Sequence, residues 1–229
     1  MKLFDFMTNP DLCGSEFLGD SWAGHRIIAR LYDGDAACLT VEEQVIAREL
    51  TGLDVLPDEP PSELYIGAGR RSGKTRLVSV IAMHAAAQDY SDRLAPGEMA
   101  VAACIAPDRR QARTLFGYCR GLVDVSPILR AELVHETTDS LEFAHRTRLE
   151  IHTGSFRSVR GYSMCCAAID EAAFLRDERS ANPDIELARA LRPALATLGG
   201  RLVVISSLHR QRGLMFDAHR RYFGAKAAA

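Results

Sequence analysis

The tightest limit on this chain is a set of unbroken apolar runs that each stop at polar or glycine-rich sequence. ELYIGA, MAVAACIA (99–106), MCCAAID (164–170) and RLVVISS (201–207) are such runs. A strand that is apolar at every position has both faces buried, so its sheet must be covered on both sides. Helix-like segments separate the runs. One spans Gly73 to about Ala87 and another about Arg109 to Val123. A third opens at Asn182 as N-cap with Pro183 in its first turn, buries Ile185, Ala188, Leu191 and Leu195, and kinks at Pro193. Strands joined through helices run parallel. The expected fold is therefore α/β, with a mainly parallel central sheet flanked by helices. SLEFA and RLEIHTG, separated by HRT, add a hairpin or two short adjacent strands.

Before the first run, residues 1 to 20 read as an extended lead-in, and Trp22, Ile27, Ile28 and Leu31 recur at helical spacing. LTVEEQVIAREL predicts a helix opened by a capping box between Thr40 and Glu43. Val41, Val45, Ile46 and Leu50 are its expected buried face. The proline-rich TGLDVLPDEPPSE cannot continue that helix. The organisation expected is a small helical N-terminal subdomain over 1–60, a core over 61–224 and a tail over 225–229.

Composition excludes several classes. A length of 229 residues suits one sizeable α/β domain, or one with a small appendage. No apolar run approaches the roughly 18 residues of a membrane span. MKLFDFMTNPDL carries no secretory signal, so a cytoplasmic protein without membrane contact is expected. The 6 cysteines form no C-x-x-C pair and have no histidine at zinc-ligand spacing, so reduced core thiols are expected. A net charge of −2 is not that of a domain coated by nucleic acid, but it permits a local basic patch. Basic residues cluster at RTRLEIHTGSFRSVRG (146–161) and at HRRYFGAK.

In parallel sheets, ligands bind at the carboxyl ends of the strands. The first such end reads GAGRRSGKT. A glycine-rich bend feeding a helix N-terminus turns several backbone N–H groups toward one point, where the helix dipole favours an anion. Gly67, Gly69, Ser72 and Gly73 build the bend, with Ala68 at the first glycine position of the usual phosphate-loop pattern. Lys74 would reach the β- and γ-phosphates of a nucleotide, and the Thr75 hydroxyl would ligate Mg²⁺. Arg70 and Arg71 either contact the γ-phosphate, reach a neighbouring subunit or are solvated loop charges. CCAAIDEAAF is a Walker B pattern: the buried strand delivers Asp170 to Mg²⁺, and Glu171 is placed to polarise the attacking water. Ser206 and Ser207 end the last strand, either beside the γ-phosphate or simply where strand turns to loop. Gln44 suits the two hydrogen-bonding edges of adenine, or is a surface residue.

Taken together these residues resemble a family, the large terminase subunit of tailed bacteriophages. The resemblance runs over nearly the whole chain, through SWAGHRIIARLYDG, LTVEEQVIARELTG, GRRSGKT, EIHTGSFRSVRGY, IDEAAF, SANPDIE, VVISS and RGLMFDAHRRYFG. It implies a P-loop NTPase core of the RecA-like (ASCE) type and an ATPase motor, using ATP and Mg²⁺, that drives double-stranded DNA into a capsid. Gln44 matches the family's adenine-contacting glutamine, Lys74 and Thr75 its Walker A pair, Asp170 and Glu171 its Walker B pair, and Ser206 and Ser207 its coupling motif. An arginine finger is implied, with Arg70, Arg71, Arg109, Arg157 and Arg160 as candidates. The implied partners are DNA phosphates, a portal protein, a small terminase subunit and further copies in a ring, in the cytoplasm of a bacterial host. The chain departs from the family in two places. Leu208 stands where the coupling motif continues with proline. The sequence stops at GAKAAA, where the family carries a nuclease domain, so no nuclease activity is expected. The competing expectations are a non-catalytic nucleotide-binding remnant and a helicase-like P-loop ATPase.

Overall fold

The computed structural model describes the chain except for residues 154–160, 177–181, 210 and 226–229. The segment ahead of the sheet is helical: α1 (Leu3–Thr8), α2 (Gly14–Phe17), α3 (Ala23–Tyr32) and α4 (Val41–Thr51). The sheet begins with β1 (Glu63–Gly67), followed by α5 (Lys74–Ala86), β2 (Ala100–Ala106), α6 (Arg109–Val125) and α7 (Pro127–Glu132). Three strands come next, β3 (Leu133–Glu136), β4 (Ser140–Phe143) and β5 (Thr147–Thr153). The chain continues with β6 (Ser163–Asp170), α8 (Pro183–Ala196), β7 (Arg201–Ser206) and α9 (Leu214–Tyr222).

The strands lie in the order β1-β7-β6-β2-β5-β4-β3. From β1 to β5 every pairing is parallel, while β4 pairs antiparallel with both β5 and β3. The expected mainly parallel α/β sheet is thus observed, and HRT is the turn of an antiparallel hairpin. Strand alternation divides the core. Ala102, Cys104, Cys166, Ala168, Val203 and Ile205 face α1, α5 and α6. Val101, Ala103, Ile105, Ala167, Ile169, Leu202 and Val204 face α8 and α9. The order carries a functional consequence. β7, the last strand in sequence, lies between β1 and β6. The glycine loop after β1 and the Asp-Glu pair after β6 are therefore separated by the width of one strand, whose end is Ser206. The unit β1, glycine loop, α5 is the strand–loop–helix of the expected P-loop pattern.

Two expectations fail. Residues 1 to 20 are not extended. α1 buries Leu3, Phe6 and Met7 in the main core, and the Asp33 carboxylate accepts hydrogen bonds from the backbone N–H groups of Leu3 and Phe4. That carboxylate satisfies donors a helix start leaves open, a long-range contact that local sequence does not announce. On α4 the capping box forms as expected, but the apolar face points outward. Val41, Val45, Ile46 and Leu50 are all exposed, and Ala47 is the helix's buried residue, set against Ile27, Leu31 and Leu39. The small Ala47 lets α3 approach closely. Periodicity shows that a helix is amphipathic but not which stripe finds a partner.

α8 starts at Pro183, buries Ala188, Leu191 and Leu195 as expected, leaves Ile185 partly buried, and continues through Pro193. The described cysteines are free thiols, buried except Cys38. Where α8 turns into β7, Gly200 presses on β6. A Cβ there would lie 2.3 Å from the Met164 carbonyl oxygen and 2.8 Å from Leu195 Cδ2. Gly200→Ala is expected to destabilise the fold by roughly 2–3 kcal/mol through overpacking, read as a lower urea midpoint at unchanged slope.

Candidate functional site

β1 hands the chain to the loop at Gly67, and the Ala68 N–H bonds the Ser206 carbonyl at 3.0 Å, tying the loop to β7. Gly73 then takes a left-handed conformation (φ 78°) that glycine adopts without strain, and α5 starts at Lys74. Arg71 also has positive φ (62°). A Cβ added at Gly69 would meet open space.

Lys74 is 8% exposed, and its Nζ lies 3.1 Å from Glu171 Oε1. A buried ammonium needs a counter-charge, and here the expected general base supplies it. The Thr75 hydroxyl donates to Asp170 Oδ2 at 3.0 Å. The other carboxylate oxygen of Asp170 accepts from the Glu171 N–H at 3.0 Å. Burial raises the pKa of Asp170, and the neighbouring Glu171 charge adds to the rise, while the Thr75 hydroxyl and Lys74 oppose it.

Glu171 sits at φ 52°, ψ 43°, a left-handed conformation that costs a non-glycine residue about 1 kcal/mol or more. Its side chain is held by β7: Oε2 accepts from the Ser207 N–H at 3.2 Å and lies 3.5 Å from Ser206 Oγ. Ser206 Oγ in turn accepts from the Ala173 N–H at 3.1 Å. Leu208 leans back over the loop, its Cδ2 3.1 Å from the position of a Cβ on Gly67. One connected set of contacts therefore runs from the glycine loop through Lys74 and Glu171 to the end of β7.

The donors fit Mg²⁺. They are hard oxygens, one hydroxyl and one buried carboxylate, and no group of three or more His, Cys, Asp or Glu gathers among the described residues. Mg²⁺ commonly takes one or two protein oxygens and completes its shell with phosphates and water. Asp170 has a further consequence. Its raised folded pKa means that folding penalises the ionised form at neutral pH, a cost relieved as pH falls through that pKa. Asp170→Asn is expected to stabilise the nucleotide-free chain by on the order of 1 kcal/mol, raising its melting temperature by about 2–4 °C, while removing the effect of Mg²⁺ on nucleotide affinity. Melting curves and titrations with and without Mg²⁺ read both effects.

Arg70 and Arg71 are exposed and make no ion pair among the described residues. Arg109 is turned to the surface, 3.4 Å from Asp139. Arg157 and Arg160 lie outside the described residues. Gln44 is on α4, where its amide donates to the Leu39 carbonyl at 3.2 Å and its oxygen lies 3.5 Å from Arg48 Nη2. Within the first basic cluster, Arg146 bonds the carbonyls of Ser91 and Ala95, and Arg148 pairs with Glu142 and Glu150. Their charge is spent inside the fold. Ser72 Oγ is buried without a hydrogen-bond partner. Sequence reasoning missed Trp22 and His25, whose rings touch the loop at Gly73. Only the glycine itself, conformationally required there, hints at such a close approach.

No family model and no curated protein matches the chain. Solved structures similar to it include the large terminase of bacteriophage HK97, at 16% identity and a TM-score of 0.48, covering 80% of this chain and 37% of that one. They also include the large terminase ATPase domain of Thermus phage P74-26, at 18% identity and a TM-score of 0.45, covering 70% of this chain and 68% of that one. The chain thus spans well under half the length of the HK97 protein. Both likenesses are distant and concern the fold alone.

Proposed function

We propose that this chain is the ATP-hydrolysing module of a viral genome-packaging motor, coupling ATP hydrolysis to movement of double-stranded DNA. The observation that carries the hydrolytic part is the contact set joining Lys74, Glu171 and Ser207 beside the Thr75–Asp170 pair. In this reading the loop N–H groups from Gly69 to Gly73 and the Ser72 hydroxyl receive phosphate oxygens, and Lys74 leaves Glu171 for the β- and γ-phosphates. Thr75 and Asp170 would hold Mg²⁺, which when bound would neutralise phosphate charge. Glu171, released from Lys74, orients and polarises the attacking water. Ser206 and Ser207 feel that release directly, which would carry the state of the nucleotide into β7. Gln44 is assigned to adenine, and Arg70, Arg71 or Arg160 to the transition-state charge.

The DNA-moving part is supported by the motif set shared with phage large terminases. Its partners in this reading are DNA phosphates, a portal protein, a small terminase subunit and further copies in a ring, in the cytoplasm of a bacterial host. Phosphate contacts make DNA binding independent of sequence and sensitive to salt. ATP turnover is expected to rise with double-stranded DNA of any sequence, and that rise to shrink steeply between about 50 and 200 mM salt. Unwinding of a forked duplex would instead assign the chain to a helicase-like ATPase.

A further inference from the structure

The segment ahead of α3 reaches the glycine loop. Trp22, the chain's 1 tryptophan, and His25 both touch Gly73. A Cβ on Gly73 would lie 2.9 Å from Trp22 Cη2 and Cζ3 and 3.3 Å from His25 Nε2. Two rings therefore rest on the backbone at the residue before Lys74. The rings also brace each other, with centroids 4.5 Å apart at 60°. Phe17 meets Trp22 edge-on at 4.9 Å. The Arg76 guanidinium lies 4.7 Å from the Trp22 ring centroid and is itself ion-paired with Glu16. Burial lowers the pKa of His25, and the Ser72 backbone opposes that shift. Arg76 belongs to the first turn of α5, so this assembly grips the loop from both sides of Lys74.

We propose that Trp22 and His25 are positioning residues for the glycine loop. They hold the backbone at Ser72 and Gly73 in the one conformation that gathers the loop N–H groups, and they tie the N-terminal helices to the occupancy of the loop. The clamp acts on the loop whether or not a ligand is present. Its consequence for a ligand rests on the nucleotide-binding reading above. The contact also explains the glycine: a side chain at 73 would meet both an unfavourable φ and two rings.

The test uses the full chain and His25→Ala, with His25→Gln as the conservative partner that keeps a polar side chain of similar reach over Gly73. Amide hydrogen exchange of the loop peptide in nucleotide-free protein is expected to quicken by about tenfold in His25→Ala, with the melting temperature within about 2 °C. MgADP affinity, measured by calorimetry, is expected to fall about fivefold as the loop loosens, and to recover in His25→Gln. Trp22 emission in the unmutated chain is expected to change on addition of MgADP. Unchanged loop exchange in a folded His25→Ala overturns the clamp. So does a silent Trp22 while calorimetry shows MgADP bound. Should His25→Ala not fold, Trp22→Phe is put through the same exchange measurement. Failure of the unmutated chain to bind MgADP sinks the nucleotide reading instead, and loop exchange still decides the clamp.

Discussion

Glu171→Ala is expected to lower ATP turnover by about 10²–10⁴-fold while MgATP affinity stays level or rises. Both halves follow from the same two contacts. Glu171 is the carboxylate at the end of β6 that β7 holds in a fixed orientation, through the Ser207 N–H at 3.2 Å. Its loss removes the base from the attacking water. Glu171 is also the counter-charge of Lys74 at 3.1 Å. A phosphate must displace that carboxylate from Lys74, so deleting it removes a competitor for the ligand. Glu171→Gln should share the loss of turnover, because its amide can keep the Ser207 contact but cannot take a proton. Equal loss of binding and turnover in either variant would assign Glu171 to the nucleotide cradle rather than to the water. Single-turnover kinetics together with equilibrium binding separate the two.

Lys74→Ala is expected to weaken MgATP binding by about 10²-fold and to bring turnover below detection. A buried ammonium facing phosphate oxygens makes the stronger, charge-assisted kind of hydrogen bond. Lys74 is the cation of the loop that is both buried and aimed at the Asp-Glu pair, whereas Arg70 and Arg71 are exposed. The substitution also leaves Glu171 without its counter-charge in a partly buried site. A modest loss of stability should therefore accompany the loss of binding, relieved in the double variant Lys74→Ala/Glu171→Gln. A melting-temperature cycle over the two single variants and the double measures that coupling.

The sheet was legible in the sequence because its strands are apolar at every position, and the hairpin because HRT interrupts a shorter alternation. The strand order was not readable from any one run. It is set by which strands pair over long distances, and it decides that β7 rather than β2 stands between the glycine loop and Asp170. Lys74, Thr75, Asp170, Glu171, Ser206 and Ser207 could be singled out because strand ends in such sheets are where side chains meet. Their resting contacts could not. Nothing in IDEAAF announces a left-handed Glu171 or its bond to Lys74. The outward face of α4 and the inward packing of α1 show the limit of periodicity, since each depends on a partner distant in sequence. The contact of Trp22 and His25 with Gly73 was invisible for the same reason, since most of α3, all of α4, the proline-rich connector and β1 intervene.

The measurement that bears most directly on the central claim is phosphate release from the purified chain with MgATP, over a range of protein concentrations, beside Lys74→Ala. The account predicts release that vanishes in the variant; a rise steeper than linear with protein would place the arginine finger on a neighbouring copy, and a linear one would place it in cis. Release that persists undiminished in Lys74→Ala would contradict it.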